Sequence, residues 1–266
     1  MDRLQTITLA LLQGVTEFLP ISSAAHLILA SELTGWPDQG LAFDIAVHLG
    51  SLVAVLAYYR RDCAAFAVSA WGGLRHRRRD AQLDLLLKIA VATLPLALCG
   101  LALRDLVANE LRNGWVIATA TLTFAFALWW ANGQRGEREL LGWRDALLIG
   151  LAQALAIVPG VSRSGITISA ALLIGLSRPA AARFAFLLAI PAITGAALMA
   201  WMELPADARG AQLPDLGLGA AIAGLSAYAC IRLFIALIER IGLMPYVYYR
   251  LALGATLFML LSWSIH

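Results

Sequence analysis

Six apolar stretches of bilayer-crossing length set the terms for this chain. They lie at about 41–59, 83–104, 114–132, 181–202, 216–238 and 245–264. Each is close to the roughly 17–25 residues that a helix needs to cross hydrocarbon. With no water in that layer, every backbone N–H and C=O must be paired within the segment, which leaves the α-helix as the form such stretches take. Composition agrees. The chain is 61% hydrophobic and 14% charged, with a mean hydropathy of +0.77, whereas soluble domains are about 45–50% apolar. The expectation is an all-α, polytopic integral membrane protein, a single membrane domain over 1–266 with no soluble appendage. The N-terminal segment lacks the basic start and small-residue cleavage site of a signal peptide, so it is expected to be retained.

Two further apolar segments, about 5–31 and 145–176, are interrupted. The first reads QGVTEFLPISSAAH from Gln13 to His26, with Pro20 at its centre. The second carries PGVSRSG from Pro159 to Gly165. Proline removes a backbone donor and glycine loosens the backbone, so neither segment forms one straight helix. Each half is too short to span. Irregular backbone at membrane depth is tolerated only where protein buries it or a wet cavity borders it. Two re-entrant helix–loop–helix hairpins satisfy that rule.

Arginine sets the orientation. Arg60, Arg61 and the run RHRRR at 75–79 flank one loop; Arg135, Arg138 and Arg144 lie in another, and Arg178 and Arg183 in a third. The loops near 32–40, 105–113 and 203–215 hold Glu32, Asp38, Glu110, Glu203, Asp207 and Asp215 instead. Six spans and two hairpins put all the arginine-rich loops on one side, which the positive-inside rule makes cytoplasmic. Both chain ends then lie outside, the first hairpin enters from outside and the second from inside. The basic residues are not interleaved with aromatics, so the pI near 9.0 speaks for membrane orientation and against nucleic acid. Cys63, Cys99 and Cys230 show no metal or redox spacing and read as packing residues.

The interrupted segments are also related. Gln13…Pro20-Ile-Ser-Ser parallels Gln153…Pro159-Gly-Val-Ser, and an apolar run follows each, from Phe43 and from Phe184. An offset near 140 residues, with hairpins entering from opposite faces, suggests an inverted-topology repeat, about 1–132 and 145–266.

The polar residues inside these segments are the candidates for chemistry, because intramembrane ionisable groups are functional by default. Gln13 and Glu17 are four apart and share a helix face. That face can offer oxygen ligands to Mg²⁺ or Ca²⁺, or simply pack as a polar pair. Ser22 and Ser23 follow the break, where a serine caps a helix and the helix N-terminus offers amides to an anion. His26 is a candidate proton donor or acceptor near neutral pH, and His48 in the first span is a further candidate for the cavity. Arg163 falls near mid-membrane, flanked by Ser162 and Ser164 and followed by Gly165. Its planar fork suits phosphate oxygens; a structural pairing with Glu17 is the competing reading.

With both motifs quoted, the chain resembles the bacterial undecaprenyl pyrophosphate phosphatase family, the bacitracin-resistance phosphatases, over nearly its whole length. That family's first region reads Glu or Gln, three residues, Glu, then Pro-x-Ser-Ser-x-x-His; its second is Pro-Gly-x-Ser-Arg-Ser-Gly. The resemblance implies hydrolysis of undecaprenyl pyrophosphate to undecaprenyl phosphate, recycling the lipid carrier of cell-wall (peptidoglycan) synthesis in the bacterial inner membrane. It implies catalytic roles for Glu17, Ser23, His26 and Arg163. It implies substrate contacts from Gln13, Ser22, Ser162, Arg163, Ser164 and Gly165, and a divalent cation at Glu17 and Gln13. Two departures stand out. Ala24-Ala25 replaces the frequent Thr-Gly before His26, and a glutamine at 13 weakens that position as a metal ligand.

The diphosphate charge would be met by Arg163, loop amides and the cation. Ser23, activated by His26 or Glu17, is one nucleophile; a water oriented by either residue is the other, and the sequence leaves the choice open. The expected partners are a polyprenyl diphosphate lipid and the bilayer, with room for a homodimer, and the site is expected to face the periplasm. A polyprenyl-phosphate flippase and a secondary transporter share the repeat logic. A type 2 phosphatidic acid phosphatase has a superficially similar PxSSxxH, but Lys88 is the only lysine and no later Ser-Arg…His follows.

Overall fold

The structure is a computed structural model that describes residues 2–37, 39–77, 79–111, 113–134, 136–204 and 213–263. Asp38, Arg78, Arg135 and Asp207, which entered the charge reading above, lie outside the described residues. Among the described residues the chain is helical. The six spans form as α3 (Leu41–Tyr58), α5 (Ala81–Ala102), α7 (Gly114–Asn132), α10 (Arg178–Glu203), α11 (Leu213–Ile241) and α12 (Met244–Trp263), and all six are long and apolar enough to cross a membrane. The caps follow side-chain chemistry. Asp80 accepts the Leu83 N–H at the start of α5, Asn113 accepts that of Val116 at α7, and Ser177 that of Ala180 at α10, each filling one of the donors a helix N-terminus leaves open.

Each interrupted segment is a helix pair. The first comprises α1 (Arg3–Phe18) and α2 (Ser23–Thr34); the second, α8 (Trp143–Ala154), a 3₁₀ turn at Leu155–Ile157 and α9 (Arg163–Leu173). Both pairs fold back on themselves. The Gln5 side chain, at the start of α1, donates to the Pro37 carbonyl beyond α2, and Arg138 pairs with Leu176 across the open end of α8 and α9. The two irregular tips are therefore brought inside the molecule. Their second helices begin alike. Ser22 and Ser162 both hold positive φ, 71° and 69°, and both hydroxyls accept an N–H three residues on, from Ala25 and Gly165. Left-handed backbone at a residue other than glycine costs on the order of 1–3 kcal/mol and gathers at functional sites.

Packing repeats between the halves. α1 lies on α11 as α8 lies on α5, and α3 lies on α11 as α10 lies on α5. α7 meets α9 as α12 meets α2. Small residues set the closest approaches: a Cβ on Gly14 would fall 2.4 Å from the Ala223 carbonyl of α11, and one on Gly150 would fall 2.6 Å from that of Ala92 on α5.

One element departs from expectation. The segment after Tyr59, read as a loop, is a helix, α4 (Arg60–His76). Its apolar residues form a stripe, Val68, Trp71 and Leu74 outward and Phe66 inward, too narrow and too charged at both ends to read as a span. The short helix α6 (Arg104–Leu106) and a π-helical turn at Val107–Leu111 lie between α5 and α7.

Basic residues collect at one end of the molecule. There Arg183 pairs with Asp62, Arg178 donates to Asn132, and Asn132 also accepts the Leu243 N–H. At the opposite end Arg104 and Glu203 close α5 against α10 at 3.4 Å.

Candidate active site

The two tips meet in the interior. Ser164 donates to the Leu19 carbonyl at 2.8 Å, and Arg163 Nη2 donates to Glu17 Oε1 at 3.0 Å. Arg250 of α12 lies beneath both tips, fully buried. Its guanidinium donates to the carbonyls of Pro20 in the first tip, Gly160 and Val161 in the second, and Thr121 of α7, at 3.0–3.3 Å. None of the ion pairs among the described residues includes Arg250. Carbonyl oxygens meet its hydrogen-bonding needs without cancelling its charge. Arg163 and Glu17 balance each other, so the tips keep a positive bias. The N-terminus of α9 adds to it: Arg163 and Ser164 sit in the first turn, where N–H groups lack intrahelical acceptors and the helix dipole favours an anion.

Glu17 is the hub of the polar network. Its Oε2 accepts from Gln13 Nε2 at 2.9 Å and from Ser23 Oγ at 3.3 Å. The second Gln13 hydrogen points to His48 Nε2 at 3.2 Å. His48 Nδ1 lies 2.7 Å from the Asp44 carbonyl. A carbonyl only accepts, so Nδ1 carries hydrogen and Nε2 is the acceptor of the neutral ring. This arrangement leaves Gln13 Oε1 buried without a partner.

A cavity of about 590 Å³ opens onto this network. Glu17, Ser22, Ser23, His48, Ser162 and Arg163 make its polar floor; Leu96, Leu101, Ile193, Leu198, Met199 and Met202 make its apolar walls. The walls are the C-terminal halves of α5 and α10, so the cavity runs toward the Arg104–Glu203 end.

The sequence-derived candidates sort clearly. Glu17, Ser22, Ser23, Ser162 and Arg163 border the cavity, and so does His48. Gln13 stands behind Glu17. Ser164 spends its hydroxyl on Leu19, and the Gly165 N–H is taken by Ser162 Oγ, so these two build the tip and leave the wall to their neighbours. His26 lies beside the first tip with both ring nitrogens engaged, Nδ1 to the Ser22 carbonyl and Nε2 to the Tyr249 hydroxyl, each at 2.7 Å. Arg250 and Tyr249 were missed by motif reading. The signal available was an arginine nearly two turns into the last apolar span.

The donor set can be tested for a cation. Glu17 Oε2 and the orphaned Gln13 Oε1 are hard oxygen ligands of the kind Mg²⁺ and Ca²⁺ take. No cluster of three or more acidic, histidine or cysteine side chains suited to a metal occurs among the described residues. Glu17 fits a cation that shares its shell with a phosphate, since Mg²⁺ is usually held by one or two carboxylates plus substrate oxygens; Gln13 turns Nε2 toward Glu17, so its Oε1 would join only once the amide turns over.

Comparison with known proteins places these features in context. The family model described as Bacitracin resistance protein BacA matches residues 6–256. An undecaprenyl-diphosphatase of Alcanivorax borkumensis is 50% identical, over 98% of this chain and 100% of its own. One from Nitrosococcus oceani is 49% identical over 98% and 100%. Undecaprenyl-diphosphatase 2 of Stutzerimonas stutzeri is 45% identical over 98% and 99%.

Proposed function

The chain belongs to the bacitracin resistance protein BacA family, and on that premise we propose that it is an integral membrane undecaprenyl-diphosphatase. It hydrolyses undecaprenyl diphosphate to undecaprenyl phosphate and inorganic phosphate and so returns the lipid carrier to cell-wall synthesis. One observation carries the assignment of the site: a cavity polar at the hairpin tips and apolar along α5 and α10 matches a lipid with a charged head and a prenyl tail.

The head sits over the tips. Arg163, at the N-terminus of α9, takes the terminal phosphate, and Arg250 contributes field from below. The Ser23 hydroxyl, or a water in its place, attacks the terminal phosphorus. The bond to the bridging oxygen breaks, and undecaprenyl phosphate leaves with the electron pair; where Ser23 is the nucleophile, a water then attacks the phosphoserine, freeing inorganic phosphate and restoring the hydroxyl. Glu17 is within reach to take the nucleophile's proton, since Ser23 already donates to it. His26 orients the loop. Glu17 and Gln13 would hold a divalent cation, which supplies charge neutralisation to the phosphates. The tail runs between α5 and α10 into lipid.

The orientation follows the same logic. The cavity opens toward the end remote from the arginine-rich loops, and the positive-inside rule makes that end periplasmic. The inverted repeat is supported by the reciprocal packing of the halves and by the paired Ser22 and Ser162 turns; both hairpins then reach mid-membrane from opposite faces.

The test is phosphate release from a C55 polyprenyl diphosphate by purified protein, with and without chelator. Release that falls on chelation and returns with Mg²⁺ or Ca²⁺ is expected. No release in the presence of cation would overturn the activity; full release in chelator would remove the cation.

A further inference from the structure

We propose that Tyr249 is a positioning residue of this reaction, acting through His26 on the first hairpin tip; the proposal rests on the diphosphatase reading above. Tyr249 and Arg250 are consecutive on α12, so their side chains point roughly 100° apart. Arg250 turns under the tips. Tyr249 turns toward α2, where its hydroxyl lies 2.7 Å from His26 Nε2. The two rings are within 7° of parallel, with centroids 5.5 Å apart.

The Ser22 carbonyl fixes which nitrogen carries hydrogen, and Tyr249 holds the other. His26 Nδ1 faces the Ser22 carbonyl at 2.7 Å, which can only accept, so the ring must present Nδ1–H. Nε2 is then an acceptor and takes the tyrosine O–H. The hydrogen bond made by one imidazole nitrogen decides the state of the other. Without the Tyr249 hydroxyl, Nε2 loses its donor and the ring is held at Nδ1 alone, free to swing against the Ser22 carbonyl.

Ser22 is where this matters. It holds φ 71°, and its peptide carries Ser23, whose hydroxyl reaches Glu17. Both serines border the cavity, whereas neither His26 nor Tyr249 does. The relay therefore runs from Tyr249 to His26, to the Ser22 carbonyl, to the Ser23 hydroxyl beside Glu17. Its output is geometry. It should appear in kcat and leave KM nearly alone, because the phosphate contacts of the second tip are untouched.

The experiment compares the full-length parent, Tyr249→Phe, His26→Ala and the double variant, with kcat and KM resolved on a C55 polyprenyl diphosphate. The ¹⁵N imidazole signals of histidine-labelled protein are recorded alongside, with His26 identified by its loss in His26→Ala. Tyr249→Phe is expected to lower kcat about 10-fold, the scale seen when an orienting partner is removed, with KM within about two-fold. It is expected to add nothing in the His26→Ala background and to shift the His26 Nε2 signal as that nitrogen loses its donor. Parent-like kcat, an additive loss in the double variant, or an unchanged His26 signature would overturn the proposal. A parent that releases no phosphate would sink the diphosphatase reading, while the ¹⁵N signature would still decide whether Tyr249 sets the ring.

Discussion

Arg163 and Glu17 stand 146 positions apart in the chain and 3.0 Å apart in space, one at each hairpin tip. The pair is nearly sealed from solvent, with side chains 12% and 10% exposed. It has two possible jobs, to strap the tips together and to face a phosphate, and the two make different forecasts. If Arg163 binds phosphate, Arg163→Ala lowers kcat/KM by roughly two to three orders of magnitude, the loss of a few kcal/mol of charge-assisted contact. Arg163→Lys recovers only part, since a point charge replaces a planar fork. The Arg163→Ala protein is expected to melt near the parent. Marked instability rescued by adding Glu17→Ala would leave Arg163 as a strut. Melting temperature and phosphate release, measured together, separate the two.

Arg250 is expected to behave differently. Arg250→Leu strips donors from the carbonyls of Pro20, Thr121, Gly160 and Val161 at once. Each buried acceptor left unpaired costs about 1–3 kcal/mol. The melting temperature should fall by on the order of 10 °C, at roughly 2–4 °C per kcal/mol for a chain of this size. A thermal scan in detergent reads this directly, and a melting point within error of the parent would contradict the clamp.

The tail route has its own test. A Cβ on Gly195 would meet open space, and its neighbours Ile193, Leu198 and Met199 wall the cavity. Gly195→Leu should fit without strain and fill the groove. KM for a C55 diphosphate is expected to rise about 10-fold, the loss of little more than one large apolar contact, while KM for a short-chain prenyl diphosphate stays within about two-fold. Equal effects on both substrates would place the tail elsewhere.

Orientation is testable in whole cells. Ala24 borders the cavity. With Cys63, Cys99 and Cys230 replaced, an Ala24→Cys protein should react with a membrane-impermeant thiol reagent added outside. Labelling only after the cytoplasm is opened would reverse the topology.

Much of this architecture is written in local sequence. Span length and hydropathy give the six helices because the bilayer allows no other satisfied backbone, and Pro20 and Pro159 mark the breaks. Ser22 reads as a cap and accepts the Ala25 N–H; Ser162, read only as a flank of Arg163, caps α9 in the same way. The helix at 60–76 was not legible: arginines at both ends obscure a narrow apolar stripe, and its inward residues matter only against α5. Nor were Arg250 and Tyr249. An arginine within two turns of a span's start can reach for the interface, and the partners of Arg250 are backbone carbonyls, which leave no trace in a motif. Tyr249 meets His26 across 223 positions, a pairing that only the fold supplies. For His26 the motif shows an imidazole near two serines, and the fold adds the partners of its two nitrogens, the Ser22 carbonyl and the Tyr249 hydroxyl.

Glu17→Gln bears most directly on the chemistry. The change keeps the shape and removes the charge, and with it the proton acceptor for Ser23 and the anionic ligand for a cation. Phosphate release from a C55 polyprenyl diphosphate should fall at least about 100-fold in kcat, the scale of lost acid–base catalysis, while the protein melts at or above the parent temperature. Near-parent turnover with an unchanged response to Mg²⁺ and Ca²⁺ would show that the reaction does not run through the carboxylate at the meeting of the two tips.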